Sequence, residues 1–194
     1  EDEEVSGKAR PFFVSELNPI QLASFNLEDY IKRRSNLSTD EWLDLLIRTI
    51  GLEPSQFDKR TKLLMLIRLI PMIQRNYNLI ELGPRGTGKS YVYRDLSPYA
   101  ILVSGGKTTV PNLFYNMSTR KVGLVGMWDV VAFDEVSGIK FDDKSAVQIL
   151  KDYMESGSFS RGREELVAEA SIVFAGNLNQ PVDVLVRTST LFQL

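Results

Sequence analysis

The chain has 194 residues, with 23 Lys and Arg against 25 Asp and Glu and a formal charge of −2, which is room for one ordinary domain with an appendage. Hydrophobic residues at 43% and charged ones at 25% are globular proportions, sufficient to fill a core. Cysteine and histidine are absent, which excludes disulfide frameworks, Cys/His zinc sites, cysteine nucleophiles and Ser-His-Asp triads, and the near-neutral balance gives no global field for nucleic acid, so such contacts must come from a local cluster.

Residues 1–36 open acidic, carry a β-branched and aromatic stretch at 11–17 and end in Lys32-Arg33-Arg34. This predicts a connector with one short strand and a solvated charge run. Leu37-Ser38-Thr39-Asp40-Glu41-Trp42 predicts a helix start, with Ser38 and Glu41 spaced to cap one another. That helix should run over 39–50, where apolar residues recur at helical spacing and Gly51 stands at the left-handed C-terminal position. A second helix fits about 54–69, kinked or ended by Pro71. Both read as packing elements, not as a cofactor site. The longest apolar run, 63–73, is broken by Arg68 and Pro71 and is too short to cross a bilayer.

From Asn76 onward short apolar strands alternate with helices, which predicts an α/β fold with a parallel sheet and crossovers. The strands fall at 77–82, 100–103, 130–133 and 171–175. Helices fall at 90–96, 110–117 and 145–154, with a hairpin arm at 122–128 and a hairpin at 158–168.

Between the first of these strands and the next helix lies Gly83-Pro84-Arg85-Gly86-Thr87-Gly88-Lys89-Ser90, which fits the Walker A spacing. Glycines let consecutive amides face an anion without a Cβ in the way, and the following helix adds its unpaired N–H groups. These eight residues are the predicted ATP-binding loop, with Lys89 reaching the β- and γ-phosphates and the Ser90 hydroxyl a ligand for Mg²⁺.

Val130-Val131-Ala132-Phe133-Asp134-Glu135 is an apolar strand that delivers two acids at its carboxyl end, the edge at which open α/β sheets bind ligands. Asp134 is assigned to Mg²⁺ and its waters, and Glu135 to activating the attacking water. Asn177 ends the strand Ser171-Ile172-Val173-Phe174-Ala175-Gly176-Asn177 and is the candidate for holding that water in line; Asn179 is an alternative two residues on. The order of phosphate loop, strand, Asp-Glu strand and Asn strand resembles the AAA+ class of P-loop ATPases. A water-activating Glu favours hydrolysis over phosphotransfer.

Arg120-Lys121 and Arg161-Gly162-Arg163 sit at predicted hairpins, where Arg120, Lys121, Arg161 and Arg163 are candidate phosphate contacts to DNA. Phe141 and Phe159 lie near positions that would face a pore in a peptide-threading motor.

From about residue 12 to the end, the stretches ELGPRGTGKS, ILVSGGKTTVPNLFYNMS, VGLVGMWDVVAFDEVSGI, KDYMESGSFSRG and VFAGNLNQPVDVLV resemble the BREX-system Lon-like (BrxL) family. The resemblance implies a cytoplasmic prokaryotic AAA+ ATPase of phage defence with an MCM-like core, assembling as a homo-oligomeric ring, hexameric in the full-length protein, on DNA. Other BREX components are further partners and a membrane is not. In that comparison Arg120-Lys121 falls at a helix-two insert and Arg161 to Arg163 at a pre-sensor hairpin. The organisation expected is a connector (1–36), a helical N-terminal part of the ATPase module (37–75) and a partial AAA+ core (76–194). The lid, arginine finger and Lon-like region would lie past Leu194; Arg187 is outside the expected finger context. An isolated chain of this kind should bind ATP and turn it over poorly. The competing reading is the ATP-driven unfoldase motor of a Lon-type protease.

Overall fold

The segments 100–103, 130–133 and 172–175 are apolar at every position, a pattern that demands cover on both faces of the sheet. The computed structural model describes residues 25–104, 109–134, 144–161 and 164–177, together with 183, 184 and 187. The chain divides into two units, Glu1–Asp40 and Glu41–Leu194.

In the first unit, helix α1 (Leu27–Ser35) stands where only a connector is expected. No apolar stripe announces it, and its signal lies in the ends. The Asn26 side chain accepts from the Asp29 amide at 3.0 Å, and Glu28 and Asp29 occupy the first turn against Lys32, Arg33 and Arg34 in the last, as the helix dipole favours. The predicted strand at 11–17 lies outside the described residues.

Helix α2 (Thr39–Thr49) buries Leu43 and Ile47. It closes as predicted on Gly51, at φ 81°, with the Leu52 amide donating to the Ile47 carbonyl at 3.2 Å. The second predicted helix is broken in two. A 3₁₀ turn at Pro54–Gln56 is followed by Asp58, which is extended and accepts from the Thr61 amide at 2.9 Å to start α3 (Lys59–Ile67). Asp58 competes for the backbone as a cap, which helical periodicity does not register. Pro71 then sits in a second 3₁₀ turn, Ile70–Met72.

The second unit is built on β1 (Leu79–Gly83), α4 (Lys89–Asp95), β2 (Ala100–Ser104), α5 (Val110–Leu113), β3 (Tyr115–Asn116), β4 (Lys121–Val122), β5 (Val130–Asp134), α6 (Lys144–Ser156), β6 (Ser158–Arg161), β7 (Glu164–Val167) and β8 (Ser171–Asn177). Four strands form one parallel sheet in the order β1-β8-β5-β2. The helix expected over 110–117 stops at Leu113, because Tyr115 and Asn116 pair instead with Val122 and Lys121 in a separate hairpin. The arm expected over 122–128 is correspondingly short, giving way to a 3₁₀ turn at Leu124–Gly126. The predicted hairpin over 158–168 forms as β6 and β7.

Period-two alternation separates the two cores. Val131, Phe133, Ile172 and Phe174 face α6, the hairpins and the aromatic cluster of Phe114, Tyr153 and Phe159. Val130, Ala132, Val173, Leu79 and Leu102 face α4 through Val92 and Tyr93. Phe159 is only 5% exposed within the first of these cores, so its place is structural and not at a pore surface. Phe141 lies outside the described residues.

At the amino end of the sheet, buried Ser171 accepts from the Tyr77 amide and donates to the Gln74 carbonyl, both at 3.0 Å. Asn78 accepts from the Ile172 amide at 2.8 Å and donates to the Met154 carbonyl at 2.9 Å. This polar clamp fixes β1 to β8 and both to α6. No helix among the described residues is long and apolar enough to cross a membrane.

Candidate functional site

All four strands of the main sheet run parallel, so their carboxyl ends share one edge, and that edge carries the site. β1 ends at Gly83; the chain turns through residues 84–88 and enters α4 at Lys89. Gly86 and Gly88 hold φ of 77° and 76°, a left-handed backbone that favours glycine. A Cβ built on Gly83, Gly86 or Gly88 meets nothing within 4 Å, so the loop leaves room on its open side. No side chain caps α4, and its leading amides and positive dipole end remain for an anion.

Lys89 is 7% exposed and folds into the loop. Its Nζ donates to the Pro84 carbonyl at 2.7 Å, the Gly83 carbonyl at 3.1 Å and the Thr87 hydroxyl at 3.3 Å. Three acceptors satisfy the three protons of a buried ammonium. Thr87 Oγ1 in turn donates to the Pro84 carbonyl at 3.2 Å. Pro84 and Arg85 are exposed, and Ser90, in the first turn of α4, is half-buried.

The register brings the other predicted residues to the same edge. Asp134 ends β5, with Ser104 of β2 and Ala175 of β8 as its neighbours, and Asn177 ends β8 opposite Gly83. By alternation Asp134 follows Val130 and Ala132, and Asn177 follows Val173, onto the face of the sheet that α4 covers. The phosphate-type loop, Asp134 and Asn177 therefore share one edge and one face. The oxygen donors of Ser90 and Asp134 fit a hard divalent cation such as Mg²⁺, which takes only one or two protein ligands beside phosphate and water oxygens. No group of three or more acidic residues able to hold a metal unaided occurs among the described residues.

Glu135, Asn179 and Arg163 lie outside the described residues, as does the side chain of Arg161, whose backbone ends β6. Arg120 and Lys121 lie at the turn of the separate β3–β4 hairpin, both exposed, with Arg120 at φ 54°. Asn116 Oδ1 tightens that turn by accepting from the amides of Ser118 and Thr119 at 3.0 and 3.1 Å.

One group of residues was not anticipated from sequence. Arg68, at the end of α3 and 9% exposed, donates from Nη1 to the Thr87 carbonyl at 2.8 Å and pairs through Nη2 with Glu81 of β1. The Tyr93 hydroxyl of α4 donates to the Arg68 carbonyl at 3.1 Å. Burial pushes the Tyr93 phenol well above its ordinary value, the Glu81 carboxylate adds to the rise and the Arg68 guanidinium opposes it. The sequence signal is a lone charge inside each of two apolar runs, Arg68 in one and Glu81 in the other, of opposite sign.

The sequence profile of the family described as "Lon-like protease BrxL-like, ATPase domain" matches residues 12–194. The protein named Lon-like protease BrxL of Bacillus cereus (strain H3081.97) is 59% identical over 191 residues, covering 98% of this chain and 28% of that protein. Its namesake in Escherichia coli O9:H4 (strain HS) is 56% identical over 184 residues, covering 95% of this chain and 26% of that protein. The chain thus spans about a quarter of the length of these relatives. With a parallel α/β core and a match along nearly its whole length, the chain belongs to the BrxL-like ATPase-domain family.

Proposed function

We propose that this chain binds ATP with Mg²⁺ at the loop Gly83 to Ser90 and hydrolyses it within a larger ring-forming, DNA-engaging protein. The observation that carries the reading is the meeting of Lys89, Ser90, Asp134 and Asn177 at one edge and one face of the sheet. The loop amides and the start of α4 receive the phosphates, and the Lys89 ammonium exchanges loop carbonyls for phosphate oxygens. Ser90 and Asp134 hold Mg²⁺, which neutralises charge on the phosphates when bound. Asn177 orients the attacking water and Glu135 accepts its proton. The exposed pair Arg120 and Lys121, with Arg161 and Arg163, supplies phosphate contacts that add up when several subunits line one channel.

The test is nucleotide and DNA binding by the full-length protein across a salt series, comparing wild type with Lys89→Ala, Arg120→Ala/Lys121→Ala and Arg161→Ala/Arg163→Ala. Lys89→Ala should lose ATP binding. Each hairpin variant should keep ATP, lose DNA affinity and show a shallower salt dependence. Unchanged DNA affinity in both hairpin variants would overturn the DNA part of the proposal, and full ATP affinity in Lys89→Ala would overturn the rest.

A further inference from the structure

We infer that Arg68 is a positioning residue for the phosphate loop: it sets the orientation of the Thr87–Gly88 peptide so that the Gly88 N–H is presented to the β-phosphate of a nucleotide. The inference rests on the nucleotide reading above and names a residue outside the loop on which that reading depends. It starts from the bond between Arg68 Nη1 and the Thr87 carbonyl at 2.8 Å. The peptide is planar and trans, so its C=O and N–H point in opposite directions. Drawing the Thr87 carbonyl toward the buried guanidinium therefore turns the Gly88 N–H to the opposite side, away from Arg68.

Local chain preference does not make this choice. Glycine at 88 tolerates either orientation of the preceding peptide at small cost, so the loop needs an external contact to select one. Arg68 is itself held at three points: its Nη2 pairs with Glu81, its carbonyl accepts from Tyr93, and its backbone closes α3. One oxygen of Glu81 is buried with no hydrogen-bond partner, an arrangement poorly suited to stability alone. The pair makes sense as an orienting device, because the guanidinium fork serves Glu81 with one nitrogen and Thr87 with the other.

The test uses the full-length protein with Mg²⁺ and compares affinities for ADP and AMP, by displacement of a fluorescent ADP analogue, in wild type, Arg68→Met, Arg68→Lys and Arg68→Met/Glu81→Leu. The double variant leaves no buried carboxylate unpaired and so tests the inference if Arg68→Met fails to fold. ADP affinity should fall about tenfold or more in Arg68→Met and the double variant, while AMP, which has no β-phosphate, changes less than about twofold. Arg68→Lys should fall between, since a single nitrogen on a shorter stem lacks the planar fork that spans both partners. A folded double variant that binds ADP as wild type does, or equal losses for AMP and ADP, would overturn the inference and leave the nucleotide reading standing. Wild-type protein that binds no ADP would overturn both.

Discussion

Gly83 and Asn177 are register partners, each the last residue of its own parallel strand. The residue that opens the phosphate loop and the amide proposed to hold water are thereby set side by side by backbone pairing. Asn177→Ala removes a side chain without touching the loop. In the full-length protein it should leave the equilibrium affinity for ATP within about threefold and lower kcat by about a hundredfold. Steady-state turnover beside direct binding checks this, and a parallel loss of affinity would count against the assigned role.

Gly88→Ala and Gly123→Ala should differ in kind. At Gly88 the added methyl meets nothing, and the cost is the left-handed backbone at φ 76°, about 1–2 kcal/mol. At Gly123 the methyl would lie 2.5 Å from the Asn112 carbonyl oxygen and the Leu113 carbonyl carbon, and the backbone of α5 must move, at about 2–4 kcal/mol. Chemical denaturation should therefore rank Gly123→Ala as the less stable. Nucleotide binding should suffer more in Gly88→Ala.

Tyr93→Phe deletes the donor to the Arg68 carbonyl and should destabilise the fold by about 1 kcal/mol. The wild-type phenol has its pKa raised on folding, chiefly by burial. Folding therefore retains the proton, and this contribution to stability is whole below the unfolded phenol's value near 10 and is lost as the pH climbs past it. Denaturation midpoints of wild type should fall more steeply than those of Tyr93→Phe between about pH 9 and 11.

Asp58 shows the opposite sign. Its bonds from the Thr61 side chain and amide hold the carboxyl below the ordinary aspartate range. Its contribution to α3 is present above the unfolded value and is lost as the pH falls through the folded one. Asp58→Asn, which still caps but carries no charge, should be less stable than wild type at neutral pH, and the gap should close in acid.

Much of the sheet was legible because a parallel strand buried on both faces spells itself as an unbroken apolar run, as 130–133 and 172–175 do. The turn from β1 into α4 was legible because glycine at 86 and 88 answers to a specific backbone requirement. Asp58 was misread because helical spacing continues across it while the side chain ends one turn and begins another. Tyr115 and Asn116 were misread as helix because a two-residue strand is too short to show alternation. Arg68 and Glu81 went unnoticed because pairing across the fold has no local signature; each looks like an interruption until its partner is in view.

The clamp of Ser171, Asn78 and Met154 lies at the end of the sheet remote from the phosphate loop, yet it decides what the other end displays. A slip of β8 by one residue would cost three side-chain-to-backbone bonds and would swing Asn177 onto the opposite face, behind the sheet and away from α4. The hydroxyl of one fully buried serine, with the amide of one asparagine, thus acts as an alignment pin for a candidate site that neither touches.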